Sequence, residues 1–432
     1  QKMRQSSYPG YQRPSGWNAL LPARQGVQRL REDRTCDVAI VGAGFTGVAA
    51  AARWAELEPG ADVILLDAST VGEGSPGRNS GFLLEISLAN DADAGNISRM
   101  RDCNALISST MEDIRLAVAG SPSPCRLQRT GTYRAAAAEA GLQAIDAYRD
   151  FLQAAGLPFE ELDQRMLQRR IGTAYYQRGL YSPHCYLAQP AALIRSLVAA
   201  LPDVVALFEE SPVISVARNA GAWSVSTPAA TLRAKRLILA NNAFAKSLAG
   251  GRARVATIYT YAGLTPRLDA GLLDGLGSDT NWGLLPAHRL GTTLRRTDDQ
   301  RILVRSFYGY EAEGDNAAIA GQLADCLQRR YPQLGNVAFE HVWSGATGFT
   351  LNGAPQWGKA GPGLYISAGC NGGGVVKGTL FGRLLAELAL GLDVPDVTAL
   401  FGTAAWMPPE PFRRVGFKVL SALEARRGQA EI

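Results

Sequence analysis

Residues 36–67 constrain the fold more tightly than any other stretch. They run "CDVAIV", "GAG", "FTGVAAAARWAEL", "EPGA" and "DVILLD". A short apolar run bounded by glycines reads as a buried strand, and the alanine-rich segment after it as a helix. The stretch therefore predicts a strand–helix–strand unit. Gly42-x-Gly44-x-x-Gly47 closes the first strand and opens the helix, with Phe45 and Thr46 between its last two glycines. Gly42 permits a tight turn, Gly44 lets backbone approach a pyrophosphate, and Gly47 lets helix and strand pack closely. The helix N-terminus adds free N–H donors and partial positive charge. Asp67 ends the second strand 20 residues after Gly47, followed by Ala68, where a carboxylate can accept from ribose hydroxyls. A glycine fingerprint alone is weak, but in this setting it predicts a dinucleotide site. No second such unit occurs, so the other glycine-rich segments are expected to serve the same dinucleotide.

Two segments fit that role. Residues 72–86, "GEGSPGRNSGFLLEI", crowd four glycines and Pro76 around Arg78 and Asn79. A solvated loop has no need of so many bare backbone positions, and a packed core has no use for the arginine. The second segment, "GLYISAGCNGGGVVKGTLFGRLLAELALG", reads as strand, loop and helix. Between them lie helical spacing at 98–118 and 137–155, a helix opening at Pro190, and strand-rich sequence from about residue 204.

The expected fold is α/β: a Rossmann-like dinucleotide-binding domain with an interleaved α+β substrate domain on a mixed or antiparallel sheet. We assign 36–120, 182–245 and 340–395 to the first and 121–181 and 246–339 to the second. Residues 1–35 are expected to form an arm over the surface. Residues 396–432 form a tail whose segment 409–427, "PEPFRRVGFKVLSALEARR", predicts a basic amphipathic helix packed on its own protein rather than lying on a membrane.

At 432 residues the chain is long for one core, and 47% apolar with 19% charged residues is a globular profile. The net charge of +5 is scattered, which suits an anionic ligand and does not point to nucleic acid. Six distant cysteines without a CxxC pair and three scattered histidines leave no material for a metal site. No apolar run reaches the ~20 residues that span a bilayer, and no secretory signal opens the sequence. A reduced, cytoplasmic protein without an integral membrane segment is expected; its oligomeric state is not readable.

"VGAGFTGVAAA", "LDA", the 72–81 pattern GxGxxGRNxG and the 369–382 pattern GxxGGGVxxGxxxG together resemble the D-amino-acid oxidase-like FAD-dependent oxidoreductases. The chain is most similar to the group of gamma-glutamylputrescine, glycine and sarcosine oxidases; "GRNSG" and "ANNAF" at 240–244 favour the first of these. The resemblance covers most of residues 36–395. It implies FAD, with Gly74, Ser75, Gly77, Arg78, Asn79, Ser80 and Gly81 wrapping the pyrophosphate and flavin, and Val213 meeting the adenine. Asn242 would close over the cofactor, and Gly372, Gly373, Gly374 and Val375 would lie under the pyrimidine end of the flavin. Lys377 either adds a cation there or is solvated. Three positions depart from the family pattern. Pro76 stands where a serine is usual, and Asn352 where an aspartate is. Gly345 stands where the sarcosine oxidase branch has the cysteine that attaches its flavin, implying non-covalent FAD.

The resemblance further implies an oxidase of an amine or an amino or imino acid. Hydride would pass from the carbon next to nitrogen to flavin N5, the imine would hydrolyse, and O2 would be reduced to H2O2. Two alternatives stay open: a dehydrogenase passing electrons to a quinone or other acceptor, and a non-catalytic flavoprotein subunit. Arg305, which interrupts the apolar strand "ILVRSFYGY", is the candidate cation for a substrate carboxylate, or else faces solvent. His184 and Tyr186 sit in "YSPHCYL", either beside the flavin or simply exposed. Tyr259 and Tyr261 share a strand face and either wall a pocket or pack a core. Trp343 reads as packing.

Overall fold

The four residues Val63–Leu66 are buried on both faces, as only a strand with layers on either side can be. They sit near one end of a sheet ordered Gln356–Gly361, Leu364–Ala368, Thr231–Leu239, Arg34–Val41, Val63–Leu66, Val205–Phe208. The computed structural model describes residues 6–250 and 253–432. From Leu364–Ala368 through Val205–Phe208 the pairs are parallel, and the Gln356–Gly361 edge is antiparallel. A hairpin, Ser215–Asn219 and Ala222–Ser226, extends Thr231–Leu239. Two helices, Phe45–Leu57 and Val376–Ala389, share one apolar core with this sheet, through Val48, Ala51, Trp54, Leu385 and Ala386 against Val38, Ile40 and Ile238.

A second eight-stranded sheet runs His341–Phe349, Ala256–Leu264, Ile302–Tyr310, Thr293–Arg296, Trp282–Pro286, Thr132–Ala136, Arg178–Ser182, Glu160–Asp163. Its pairs are antiparallel except Trp282–Pro286 with Thr132–Ala136. Helix Asn316–Arg330 packs on it through Leu323 and Leu327. The expected α/β architecture with a mixed second sheet is therefore present. Strand His341–Phe349, expected with the dinucleotide half, instead pairs with Ala256–Leu264 in the second sheet.

Both terminal segments also differ from expectation. The segment before residue 36 does not merely overlie the surface. Ser15 and Trp17 are buried, and the Trp17 ring meets Trp343 edge-on, with centroids 6.3 Å apart. Near the other end, helix Phe412–Arg427 forms as expected but buries none of its residues, and Phe412, Val415, Val419, Leu420 and Leu423 are exposed. Among the described residues, no helix is long and apolar enough to cross a membrane.

Candidate active site

The two sheets enclose a cavity of about 1120 Å³, larger than the ~300–1,000 Å³ that holds one small ligand. One wall is the predicted fingerprint. Gly42 turns at φ +101°, and a side chain at Gly47 would lie 1.7 Å from the Gly42 carbonyl, so these two glycines serve the turn and the close packing. Gly44, Phe45 and Thr46 face the cavity, and no side chain caps the helix they open, which leaves its first N–H groups free for an anion. Asp67 lines the same wall, accepting from the Ala43 N–H at 2.9 Å and from the Ser69 N–H at 3.0 Å. Burial pushes its carboxyl above the usual range, against those hydrogen bonds.

A second wall is Gly372, Gly373, Gly374 and Val375, where helix Val376–Ala389 begins, again with no side-chain cap. A side chain at Gly372 would meet nothing within 4 Å, so bare backbone faces open space. The last glycines of the motif act elsewhere. A Cβ at Gly382 would sit 2.1 Å from the Thr46 carbonyl, and one at Gly378 would lie 2.9 Å from the Thr46 hydroxyl, so they let the two uncapped helices pack together. Ala68, Val213 and Asn242 also line the cavity. Two uncapped helix starts, a ribose-height carboxylate and bare glycine backbone suit a long, doubly charged dinucleotide such as FAD.

The 72–81 loop corrects the expectation in detail. Gly74, Ser75, Arg78, Asn79 and Ser80 line the cavity, whereas Gly77 and Gly81 do not. A Cβ at Gly77 would meet the Gly72 carbonyl at 1.8 Å; Gly81 turns at φ +84° against the Ala188 carbonyl and Arg295. Arg78 does not spend its donors on the cavity. It donates to the carbonyls of Glu73, Ser344 and Arg13 at 2.6, 2.9 and 2.9 Å, and stacks over the Tyr11 ring at 3.6 Å. A buried guanidinium needs such acceptors, and the fold supplies them from within. Asn79 folds back on its own loop, donating to the Pro76 carbonyl at 2.7 Å and accepting from the Gly81 N–H at 2.8 Å. Pro76 falls in the first turn of a 3-10 helix, Ser75–Gly77, where its missing N–H leaves no gap.

On the opposite side, Arg305 lines the cavity and donates only to hydroxyls: Thr293 at 2.8 Å, and Thr260 and Tyr308 at 3.2 Å each. Among the described residues no carboxylate lies within ion-pair distance of it. Tyr308 and Tyr310 line the same cavity, whereas Tyr259 and Tyr261 both pack into the core on the other face of their strand, Tyr259 against Tyr11 and Tyr261 with its hydroxyl accepting from the Gly314 N–H. Trp343 is fully buried and donates to the Arg78 carbonyl, as its packing reading requires.

His184 and Tyr186 do not line the cavity. His184 precedes the strand Cys185–Leu187 and lies beside Glu85, and that strand pairs with Phe82–Leu84 so that Tyr186 lies opposite Leu83. Phe82 and Leu84 face the cavity, so Leu83 and Tyr186 face away from it. Lys377 lines the cavity but is held by Asp91 at 2.8 Å, neither solvated nor a free cation. Asn352 lies at the surface, where its side chain donates to the Thr403 carbonyl and accepts from the Ala405 N–H, tying down the C-terminal segment.

Sequence reasoning missed three groups. Ser7, Tyr11 and Arg13 bring the N-terminal segment into the cavity wall, with no periodicity to announce it. Arg134 lines the cavity and donates to the Pro286 carbonyl at 2.9 Å. Arg295, 3% exposed, bridges the carbonyls of Ser80 and Ala188, and burial pulls it down to about 10. A pair of arginines within the short strand Thr293–Arg296 was the available signal.

Known proteins share this architecture. The chain is 27% identical over 385 residues to a probable oxidoreductase, OrdL, of Haemophilus influenzae, covering 84% of this chain and 85% of that protein. It is 28% identical over 376 residues to the gamma-glutamylputrescine oxidoreductase of Escherichia coli, again covering 84% and 85%. Glycine oxidase from Geobacillus kaustophilus superposes with a TM-score of 0.71 at 20% identity, over 87% of this chain and all of that one. The profile of the FAD dependent oxidoreductases termed DAO matches residues 37–388, and the chain belongs to that family.

Proposed function

We propose that the chain is an oxidase of a carboxylated amine, that is, an amino acid or an imino acid. The observation that carries this reading is Arg305, a cation in the cavity wall held by three hydroxyls and, among the described residues, by no carboxylate. FAD, when bound, would supply the redox chemistry, as hydride acceptor for the carbon next to nitrogen with O2 as the final oxidant. Gly44, Thr46, Asp67, Gly74, Ser75, Val213, Asn242 and Gly372–Gly374 would hold it, without a covalent link through position 345, which is glycine.

The protein's own groups bind and orient. Thr260, Thr293 and Tyr308 fix the guanidinium plane of Arg305, so a bidentate carboxylate would anchor one end of the substrate. Tyr308 and Tyr310 supply apolar walls that limit water around the reacting carbon. None of the three histidines lines the cavity, and hydride removal from a neutral amine needs no obligatory base. The imine product would hydrolyse in water.

The test is a peroxide-coupled screen of the flavin-loaded protein over amino acids, N-methyl amino acids, iminodiacetate and polyamines. Peroxide with a carboxylated amine is expected. Arg305→Ala is expected to raise KM for that substrate more than about tenfold, as loss of a buried ion-pair partner does. An unchanged KM removes Arg305 from the site. Dye reduction without peroxide would point to a dehydrogenase using another acceptor.

A further inference from the structure

Helix Phe412–Arg427 is fastened at both ends and left bare between them. At its start Glu410 accepts from the Tyr310 hydroxyl and pairs with Arg413 at 3.4 Å, while the Phe417 ring meets Tyr310 with centroids 5.0 Å apart. Toward its end Glu424 meets His288 at 3.2 Å. Beyond it Glu431, 1% exposed, accepts from the N–H groups of Ala137 and Ala138 at 2.9 and 2.8 Å. A helix pinned this firmly is not a loose tail. Yet Phe412, Val415, Val419 and Leu423, at spacing i, i+3, i+7, i+11, form one outward stripe, with Phe412 70% and Val415 59% exposed. Leu420 lies beside the stripe and Trp406, 67% exposed, just before it.

The charges around the stripe are mostly of one sign. Arg414, Lys418, Arg426 and Arg427 are exposed, and the only acidic residue of the helix, Glu424, is shared between His288 at 3.2 Å and Arg427 at 3.8 Å, which leaves the exposed charge around the stripe net positive. An apolar stripe edged by cations complements a surface that is apolar within and anionic at its rim. A purely ionic partner would leave the stripe wet. An antiparallel second copy of the helix would bring the cations of one end against those of the other.

We propose that Phe412–Arg427 is the docking face for an anionic lipid bilayer, lying in the plane of the headgroups with its stripe at the acyl boundary. Phe412, at the head of the stripe, also lines the active-site cavity together with Phe417, Leu420 and Met407, so docking seats the cavity's rim on the bilayer. The inference stands apart from the choice of substrate.

Flotation of the flavin-loaded protein with lipid vesicles tests it. The protein floats with phosphatidylcholine vesicles containing about 30% phosphatidylglycerol, and at least about tenfold less with phosphatidylcholine alone or in ~0.5 M salt. Val415→Asp with Val419→Asp, both exposed and outside the cavity lining, lowers flotation about tenfold or more while flavin absorbance is kept. Wild-type protein that stays unbound, or a double variant that floats as well as wild type, overturns the proposal. So does a dimer in vesicle-free solution that the same two substitutions dissociate, because the stripe is then a contact between copies.

Discussion

At the scale of single residues, two arginines, Arg78 and Arg295, hold the walls of the cavity together by donating to protein carbonyls. Arg78 joins the 72–81 loop to the N-terminal segment through Arg13 and to the second sheet through Ser344. Burial lowers its basicity, offset by the electrons of Tyr11 and the charge of Glu73. Only a guanidinium donates in three directions from one plane; an ammonium on a flexible stem cannot reach all these carbonyls at once. Arg78→Lys keeps the charge and loses that geometry, leaving one or two buried carbonyls unpaired at a cost of about 1–3 kcal/mol. A lowered thermal midpoint of the purified protein, with less flavin retained, is expected; an unchanged midpoint would mean that the carbonyls need no partner. From the sequence Arg78 reads as a polar handle on the cofactor rather than a link within the protein, because its acceptors at Arg13 and Ser344 lie 65 and 266 positions away.

At the scale of elements, the strand–helix–strand start and the last glycine-rich unit were readable because each spans contiguous residues with its own period. What joins them was written in the same glycines. Gly378 and Gly382 sit one helical turn apart on the face that meets Thr46, and with them the two uncapped helix starts converge on one cavity. Gly382→Ala would put a methyl 2.1 Å from a backbone carbonyl, which forces the helices apart at a cost of about 1–3 kcal/mol. The flavin-to-protein absorbance ratio should fall along with the thermal midpoint, whereas full flavin occupancy would show that the helix pair tolerates the shift. Strand pairing was less readable. "HVWSGATGF" has no clean alternation, with Val342, Trp343 and Ser344 all buried, and only the long-range register with Ala256–Leu264 places it in the second sheet. The same limit misplaced Tyr186, whose side of the sheet is set by its partner Leu83.

At the scale of the whole molecule, both terminal segments close onto a body that the middle of the chain builds. The N-terminal segment has no hydrophobic period to announce its contacts, and the period of helix Phe412–Arg427 marks its apolar stripe but not the groups that tie its ends. The last described turn shows the tie most clearly. The Glu431 carboxylate accepts from Ala137 and Ala138 at the start of helix Glu139–Ala154, and its carbonyl accepts from Arg330 at 3.0 Å and from the Thr292 N–H at 2.9 Å. Burial raises its carboxyl above 4.5, with the hydrogen bonds from Ala138 and Ala137 opposing. The folded protein then holds this proton more tightly than the unfolded chain does. Stability from this group is therefore fully present below the unfolded value of 4.5 and falls as pH rises from there through the folded value. Glu431→Gln carries no titrating proton and escapes that loss, whatever fixed offset its weaker acceptor imposes. The difference in unfolding free energy between the two proteins should move in favour of Glu431→Gln as pH rises from about 4 to 7. Denaturant titrations at several pH values measure it directly. A difference that stays flat, or moves toward wild type, means the carboxylate is ionised at no cost and the C-terminal tie is solvated rather than buried.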